Sequence, residues 1–430
     1  MKRLLTVLVA LAGLLVGVAL ALLAWQRGLS DHTPASTAPV SLERGAYLAA
    51  VGNCAGCHTA RGGARLAGGR PIPTPFGTAF SSNLTPDASG LAGWSADDFW
   101  RALHLGIGRD GRLLVPAHPI TNTTLVTRED ADALHAWLQV QPAVSAPRRA
   151  HELRWPMDSE LGTQLAVAAW RALHFRPGVY QPEPARDAAW NRGAYLSQGL
   201  AHCSACHAGR NTLGGDNGPA DFRGGLLLGL GWVAPSLLDP AEAGVQRWSD
   251  TTLQRWLRDG HADGYIAQGP MAEVVLGSTA ALDDADLAAV SHYLRTLPEQ
   301  AAARPAPVRP DARRREHGAG LYREHCAACH GAKGEGRRDD SGELAYPALA
   351  GSRLVTQASP ANLIRLIERG GFAPATPGHP RPYGMPPFAG LLDADELAAL
   401  ASHLRQSFGH HAGEVDTVEV LRLRAAAARH

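Results

Sequence analysis

The sequence predicts an all-α chain of three tandem helical repeats behind an N-terminal apolar helix. Three observations predict this. The pattern C-x-x-C-H occurs three times and uses all six cysteines. Each copy follows a similar glycine-bearing run, and each is succeeded by two helices with clear start and stop signals. At 430 residues and 45% hydrophobic content, the chain is sized for two to four folded modules.

The leader comes first. "MKR" precedes a run from Leu4 to Trp25 that carries no charge. At about 1.5 Å per residue such a helix reaches roughly 30 Å, enough to cross a bilayer, whereas a cleaved signal has an apolar core of about 7–15 residues. Ala19-Leu20-Ala21 offers a cleavage site, but the length favours a retained anchor, so residues 1–29 read as a signal or membrane-anchor helix with its positive end inside. A net charge of +1 gives no basic excess and argues against a nucleic-acid partner.

The repeats follow. "ERGAYLAAVGNC", "NRGAYLSQGLAHC" and "EHGAGLYREHC" lead into the three motifs, and Gly45, Gly193 and Gly318 suit a short helix packed tightly against a partner. After each motif comes a loop ending in Leu84, Leu237 or Leu349. Next are the helices "WSADDFWRALHLG", "WSDTTLQRWLRDG" and "SPANLIRLIERGG", with Ser95, Ser249 and Ser359 as N-caps and Gly106, Gly260 and Gly370 as stops. A last helix closes each repeat: "REDADALHAWL", "DDADLAAVSHYL" and "DADELAALASHL". The expected domains are 41–145, 186–298 and 312–408. They are joined by a helix-bearing linker, 146–185, which is expected to pack between the first two units, and by an extended Pro-rich linker, 299–311; the tail 409–430 is expected to fray.

C-x-x-C serves zinc or redox chemistry, while C-x-x-C-H is the attachment site of a c-type haem. Zinc would want a second pair of ligands, and no cysteine is left to supply one. The reading is therefore three covalent haems. They attach through Cys54 and Cys57, Cys203 and Cys206, and Cys326 and Cys329, with His58, His207 and His330 as iron ligands. Haem c is assembled outside the cytoplasm, which agrees with the leader.

The order helix, haem, loop, helix, ligand loop, helix resembles the class I cytochrome c fold, whose first and last helices cross and whose second axial ligand lies between the last two helices. Met271 stands 11 residues past Gly260 and Met385 stands 15 past Gly370, in a chain with only four methionines. Both are expected iron ligands. In the first repeat the slot reads "LVPAHPIT" and holds His118, 12 residues past Gly106. His104, His135 and Met157 compete with it. Imidazole in place of thioether lowers a haem's reduction potential.

"RGAYLAAVGNCAGCHT", "GGRPIPTPFGTAFSSNLTP", "GPMAEV" and "YPALAG" together resemble the three-haem cytochrome c subunit of periplasmic dehydrogenases, the group serving membrane-bound alcohol, gluconate and aldehyde dehydrogenases. In that family the first slot commonly reads P-A-M-P, so His118 is a departure. The resemblance implies an electron-transfer subunit without a substrate-oxidising site of its own. Its partner would be a dehydrogenase catalytic subunit (quinoprotein, flavoprotein or molybdoprotein), and it would pass electrons to membrane quinone such as ubiquinone, or to the respiratory chain, on the periplasmic side of the inner membrane. It also implies that Pro235 and Pro347 offer backbone carbonyls to the proximal histidines. Arg70 is a candidate partner for a haem propionate, and Trp94 and Trp248 are candidate haem-crevice fillers. Two other classes stay open: a subunit of a terminal oxidase complex, and a haem peroxidase, which needs an iron with a vacant side.

Overall fold

The computed structural model describes residues 2–428 apart from 31, 32, 38, 304–311, 341 and 343. The chain divides into two compact units. One comprises Met1–Pro182, Tyr195–Ala205 and Arg210–Pro219, and the other comprises Glu183–Ala194, Cys206–Gly209 and Ala220–His430.

In the first unit, the entry helix Leu42–Val51 crosses the closing helix Arg128–Gln139. Gly45 permits the crossing: a Cβ there would lie 2.1 Å from the Ala133 carbonyl oxygen. Leu48, Ala49, Ala133, Leu134 and Leu138 bury their side chains at this contact. Helix Ala96–Leu105 is started by a Ser95–Asp98 capping box and stopped by Gly106 in the left-handed region. The proline-rich run folds into the hairpin Pro71–Thr74 and Gly77–Phe80, and strand Glu152–Leu153 of the linker adds to its edge. The linker also supplies helix Glu160–His174, whose Val167 and Ala168 pack with Leu105, Ile107 and Leu113. The linker is thus part of this unit's core.

The leader is helical over Lys2–Arg27, but among the described residues no helix is long and apolar enough to cross a membrane. The end of this helix packs on protein: Leu23 and Gln26 are buried, and Arg171 donates from Nε to Gln26 Oε1 at 2.9 Å.

The second unit repeats the crossing twice. Gly193 sets helix Ala188–Gln198 against Asp284–Thr296, and Gly318 sets Ala312–His325 against Ala394–Gln406. The respective Cβ positions lie 2.0 Å from the Ala289 carbonyl oxygen and 2.3 Å from that of Ala399. Ser249 caps helix Asp250–Asp259 and Gly260 ends it, as the sequence predicts. At helix Ala361–Arg369 the N-cap is Pro360 rather than Ser359, because the proline already occupies the last non-helical position; Ser359 Oγ still accepts from the Ala361 amide at 3.3 Å.

The tail does not fray. Helix Thr417–Ala428 lies on the closing helix Ala394–Gln406, with Val415 and Val420 fully buried. Burying two such side chains stabilises by about 1.5–3 kcal/mol each, and Arg424 pairs with Glu368 at 2.5 Å. In the second linker, residues 304–311 lie outside the described residues.

Candidate functional site

Each C-x-x-C-H motif forms a short helical turn: Cys54–His58, Ser204–His207 with Cys203 just before it, and Ala327–His330 with Cys326 as its N-cap. None of the six cysteines is in a disulfide. The turn holds the two sulfurs of a pair and the imidazole within five consecutive residues, the spacing the sequence implies. Burial pushes the Cys54 thiol up to about 12 and that of Cys326 up to about 11, the neighbouring cysteine adding to each shift.

The imidazoles are held alike. His58 Nδ1 lies 2.7 Å from the Ser82 carbonyl oxygen, His207 Nδ1 lies 2.8 Å from that of Pro235, and His330 Nδ1 lies 2.8 Å from that of Pro347. A carbonyl only accepts, so Nδ1 carries the proton and Nε2 keeps its lone pair. Burial lowers the pKa of all three rings, outweighing the upward effect of the carbonyl bond and favouring the neutral form a metal requires. The carbonyls expected of Pro235 and Pro347 are in place, and Ser82 does the same work in the first repeat.

A second tie locks this arrangement. The amides of Gly68, Gly224 and Gly336 donate to the carbonyl oxygens of His58, His207 and His330 at 2.7, 2.6 and 2.8 Å. All three glycines have φ between +74° and +77°. A Cβ on Gly68 would lie 2.5 Å from Ser82 C, one on Gly224 would lie 2.7 Å from Pro235 C, and one on Gly336 would lie 3.0 Å from Pro347 C. Each glycine therefore lets the carbonyl-bearing segment approach the histidine. Sequence reading missed these glycines, since nothing local distinguishes them from other loop glycines. Gly336→Ala should lower the thermal midpoint of the third repeat, corresponding to about 1–3 kcal/mol from left-handed strain and crowding. Unfolding followed by the repeat's own haem absorbance would measure it; an unchanged midpoint would remove the glycine from the clamp.

The second-ligand candidates differ. In the third repeat Met385 pairs across a two-residue strand with Gly371, and Gly370 lies so close that its Cβ would be 2.2 Å from the Met385 carbonyl oxygen. Met385, Cys326, Leu349 and Phe388 each pack against the hydrophobic cluster of the third repeat. Met271 opens helix Pro270–Gly277 behind Gly269, whose backbone lies against the Trp232 ring on the strand that leads to Pro235. In the first repeat His118 is half-buried, with Nε2 3.0 Å from Thr123 Oγ1. Burial, followed by the charges of His58 and His202, pushes its pKa down to about 4.

The other three candidates make contacts of their own. His104 is buried with Nδ1 2.7 Å from the Thr124 carbonyl oxygen and stacks on Trp100. His135 Nε2 lies 3.1 Å from the Trp94 carbonyl oxygen. Met157 sits in the turn before helix Glu160–His174, its carbonyl accepting from Thr163 Oγ1 at 2.6 Å. Trp94 packs with Cys54, Ala55 and Leu84 on the first core, and Trp248 stacks on Tyr265 at 4.4 Å. Arg70 donates from Nη1 to the Gly56 carbonyl oxygen at 2.6 Å.

Two thiols of one turn outside any disulfide and a neutral imidazole with Nδ1 tied back form a donor set that fits haem c. Comparison with known proteins agrees. Residues 42–141 and 191–298 match the family model described as Cytochrome c, and residues 313–404 match that described as Cytochrome C oxidase, cbb3-type, subunit III. The chain is 37% identical over 93% of its length to a nicotinate dehydrogenase subunit of Pseudomonas putida, but spans only 33% of that protein. It is 33% identical to the cytochrome c subunit of the quinone alcohol dehydrogenase of Gluconacetobacter polyoxogenes, with 90% of this chain and 85% of that one aligned. It is 34% identical to the gluconate 2-dehydrogenase cytochrome c subunit of Pantoea cypripedii, over 86% of each. With cytochrome c modules along its length and full-length similarity of this kind, the chain belongs to the family of cytochrome c subunits of the alcohol and gluconate dehydrogenases.

Proposed function

We propose that the chain is a three-haem electron relay: three cytochrome c domains, 41–145, 186–298 and 312–408, pass electrons singly from a periplasmic dehydrogenase subunit to membrane quinone or another respiratory acceptor. The observation that carries it is the threefold constellation of thiol pair, tied-back imidazole and glycine clamp. Haem c bound at these sites would supply reversible one-electron storage on iron. Cys54 and Cys57, Cys203 and Cys206, and Cys326 and Cys329 would hold it covalently. His58 with His118, His207 with Met271, and His330 with Met385 would be its axial ligands.

Contacts within each unit support hand-over between successive motifs. In the first unit, His202, next to Cys203, has Nε2 3.4 Å from the carbonyl oxygen of Gly52, two residues before Cys54. In the second unit, Asn362 exchanges two hydrogen bonds with Val233 at 2.7 and 2.9 Å, fastening the strand before Pro235 to a helix of the third repeat. The dehydrogenase partner, whether quinoprotein, flavoprotein or molybdoprotein, and attachment to the inner membrane belong to the same proposal, supported by the kinship with dehydrogenase subunits.

The test is to solubilise native membranes gently, recover the chain by a C-terminal tag, and count haem per chain. Three haems and a cofactor-bearing dehydrogenase in near-equal amount are expected. Oxidase subunits in its place would favour the reading suggested by the third repeat's match to an oxidase subunit model. Recovery of the chain alone would overturn the relay.

A further inference from the structure

The three attachment turns share a feature that their sequences do not. Arg70 donates from Nη1 to the Gly56 carbonyl oxygen at 2.6 Å, Arg210 from Nη2 to that of Ala205 at 2.6 Å, and Arg337 from Nη1 to that of Ala328 at 2.8 Å. Gly56, Ala205 and Ala328 are the same position of the motif, the residue immediately before the second cysteine. The arginines follow their motif histidines by 12, 3 and 7 residues, so three different loop paths deliver a guanidinium to one point. Resting on the three-haem reading, we propose that Arg70, Arg210 and Arg337 are positioning residues. Each fixes the turn that carries two thioethers and sets one permanent positive charge beside it, which raises that site's reduction potential.

The physical basis is charge. Reduction adds one electron, supplied by the dehydrogenase partner, and lowers the site's net charge by one; a guanidinium always carries its proton and favours the reduced state. Solvent and counter-charge grade the effect. Arg70 is half-buried and should act most strongly. Arg337 is exposed, and Arg210 has Asp216 3.8 Å from Nη1, so both should act less.

The test replaces each arginine singly by Gln, which keeps an N–H donor but loses the charge, and by Lys, which keeps the charge. Haem per chain and the three midpoints are read by spectroelectrochemical titration. R70Q should shift one midpoint down by about tenfold in its reduction equilibrium, 59 mV for a one-electron couple, with smaller shifts for R337Q and R210Q and near-parental values for the Lys variants. Three haems per chain with unmoved midpoints in all three Gln variants would overturn the proposal, as would Lys variants that fall as far as Gln. If a Gln variant loses its haem, the Lys variant decides: an unmoved midpoint supports the proposal and a tenfold fall overturns it. A parental chain holding fewer than three haems would instead overturn the three-haem reading itself.

Discussion

Gly318→Ala is expected to destabilise the third repeat by about 3 kcal/mol or more, while Gly320→Ala, two residues along the same helix, is expected to be neutral or stabilising by up to about 1 kcal/mol. The two substitutions add the same methyl group and differ only in what it meets. At position 318 the new carbon would lie 2.3 Å from the Ala399 carbonyl oxygen and 2.8 Å from His403 Cβ, backbone and a short stem that cannot swing aside. At position 320 the nearest atom is the end of the Arg323 side chain at 3.9 Å. Helix Ala312–His325 would have to lift from Ala394–Gln406, and the buried contacts of Leu321, Tyr322 and Leu400 would loosen with it. Urea unfolding followed by far-ultraviolet dichroism and by haem absorbance would measure both variants. Equal effects at the two positions would show that helix propensity, and not the crossing, governs the glycine.

His118→Met is expected to raise one of the three midpoint potentials, on the order of 0.2 V within the roughly 0.8 V range that axial ligands command, and to leave the other two nearly fixed. Imidazole favours the oxidised iron and thioether the reduced. The structure sharpens this test. His118 Nε2 is hydrogen-bonded to Thr123 Oγ1 at 3.0 Å, so ligation through that atom requires the bond to be given up. Met385→His should move a different midpoint downward by a similar amount. A titration of His118→Met that matches the parent would remove His118 from the ligand set, and a haem with a vacant side would then bring peroxidase assays forward.

Legibility in the sequence follows how local each determinant is. The attachment motifs, the serine caps at 95 and 249 and the glycine stops were readable, because thioether spacing and helix termini are decided within a few residues. The crossing glycines were readable from the repeat of one pattern three times. The cap at Pro360 was misassigned because serine and proline stand side by side and only the backbone angles choose between them. The tail lies outside the threefold repeat, so no repeated pattern in it predicts order. Val415 and Val420 become core residues only when the closing helix presents them a surface.

The sequence by itself determined the mostly helical repeat, the threefold C-x-x-C-H motif and the kinship with dehydrogenase cytochromes. The tertiary structure alone decided that Ser82 holds the first histidine and which arginine holds each turn. The carbonyls that accept from the histidines lie 24, 28 and 17 residues beyond them, and the arginines lie 14, 5 and 9 residues beyond the carbonyls they hold. No fixed spacing exists to be read. A hydrogen bond needs only the right atom at about 2.8 Å with suitable alignment, so loops of different length satisfy it equally, and the convergence becomes visible only after the chain has folded.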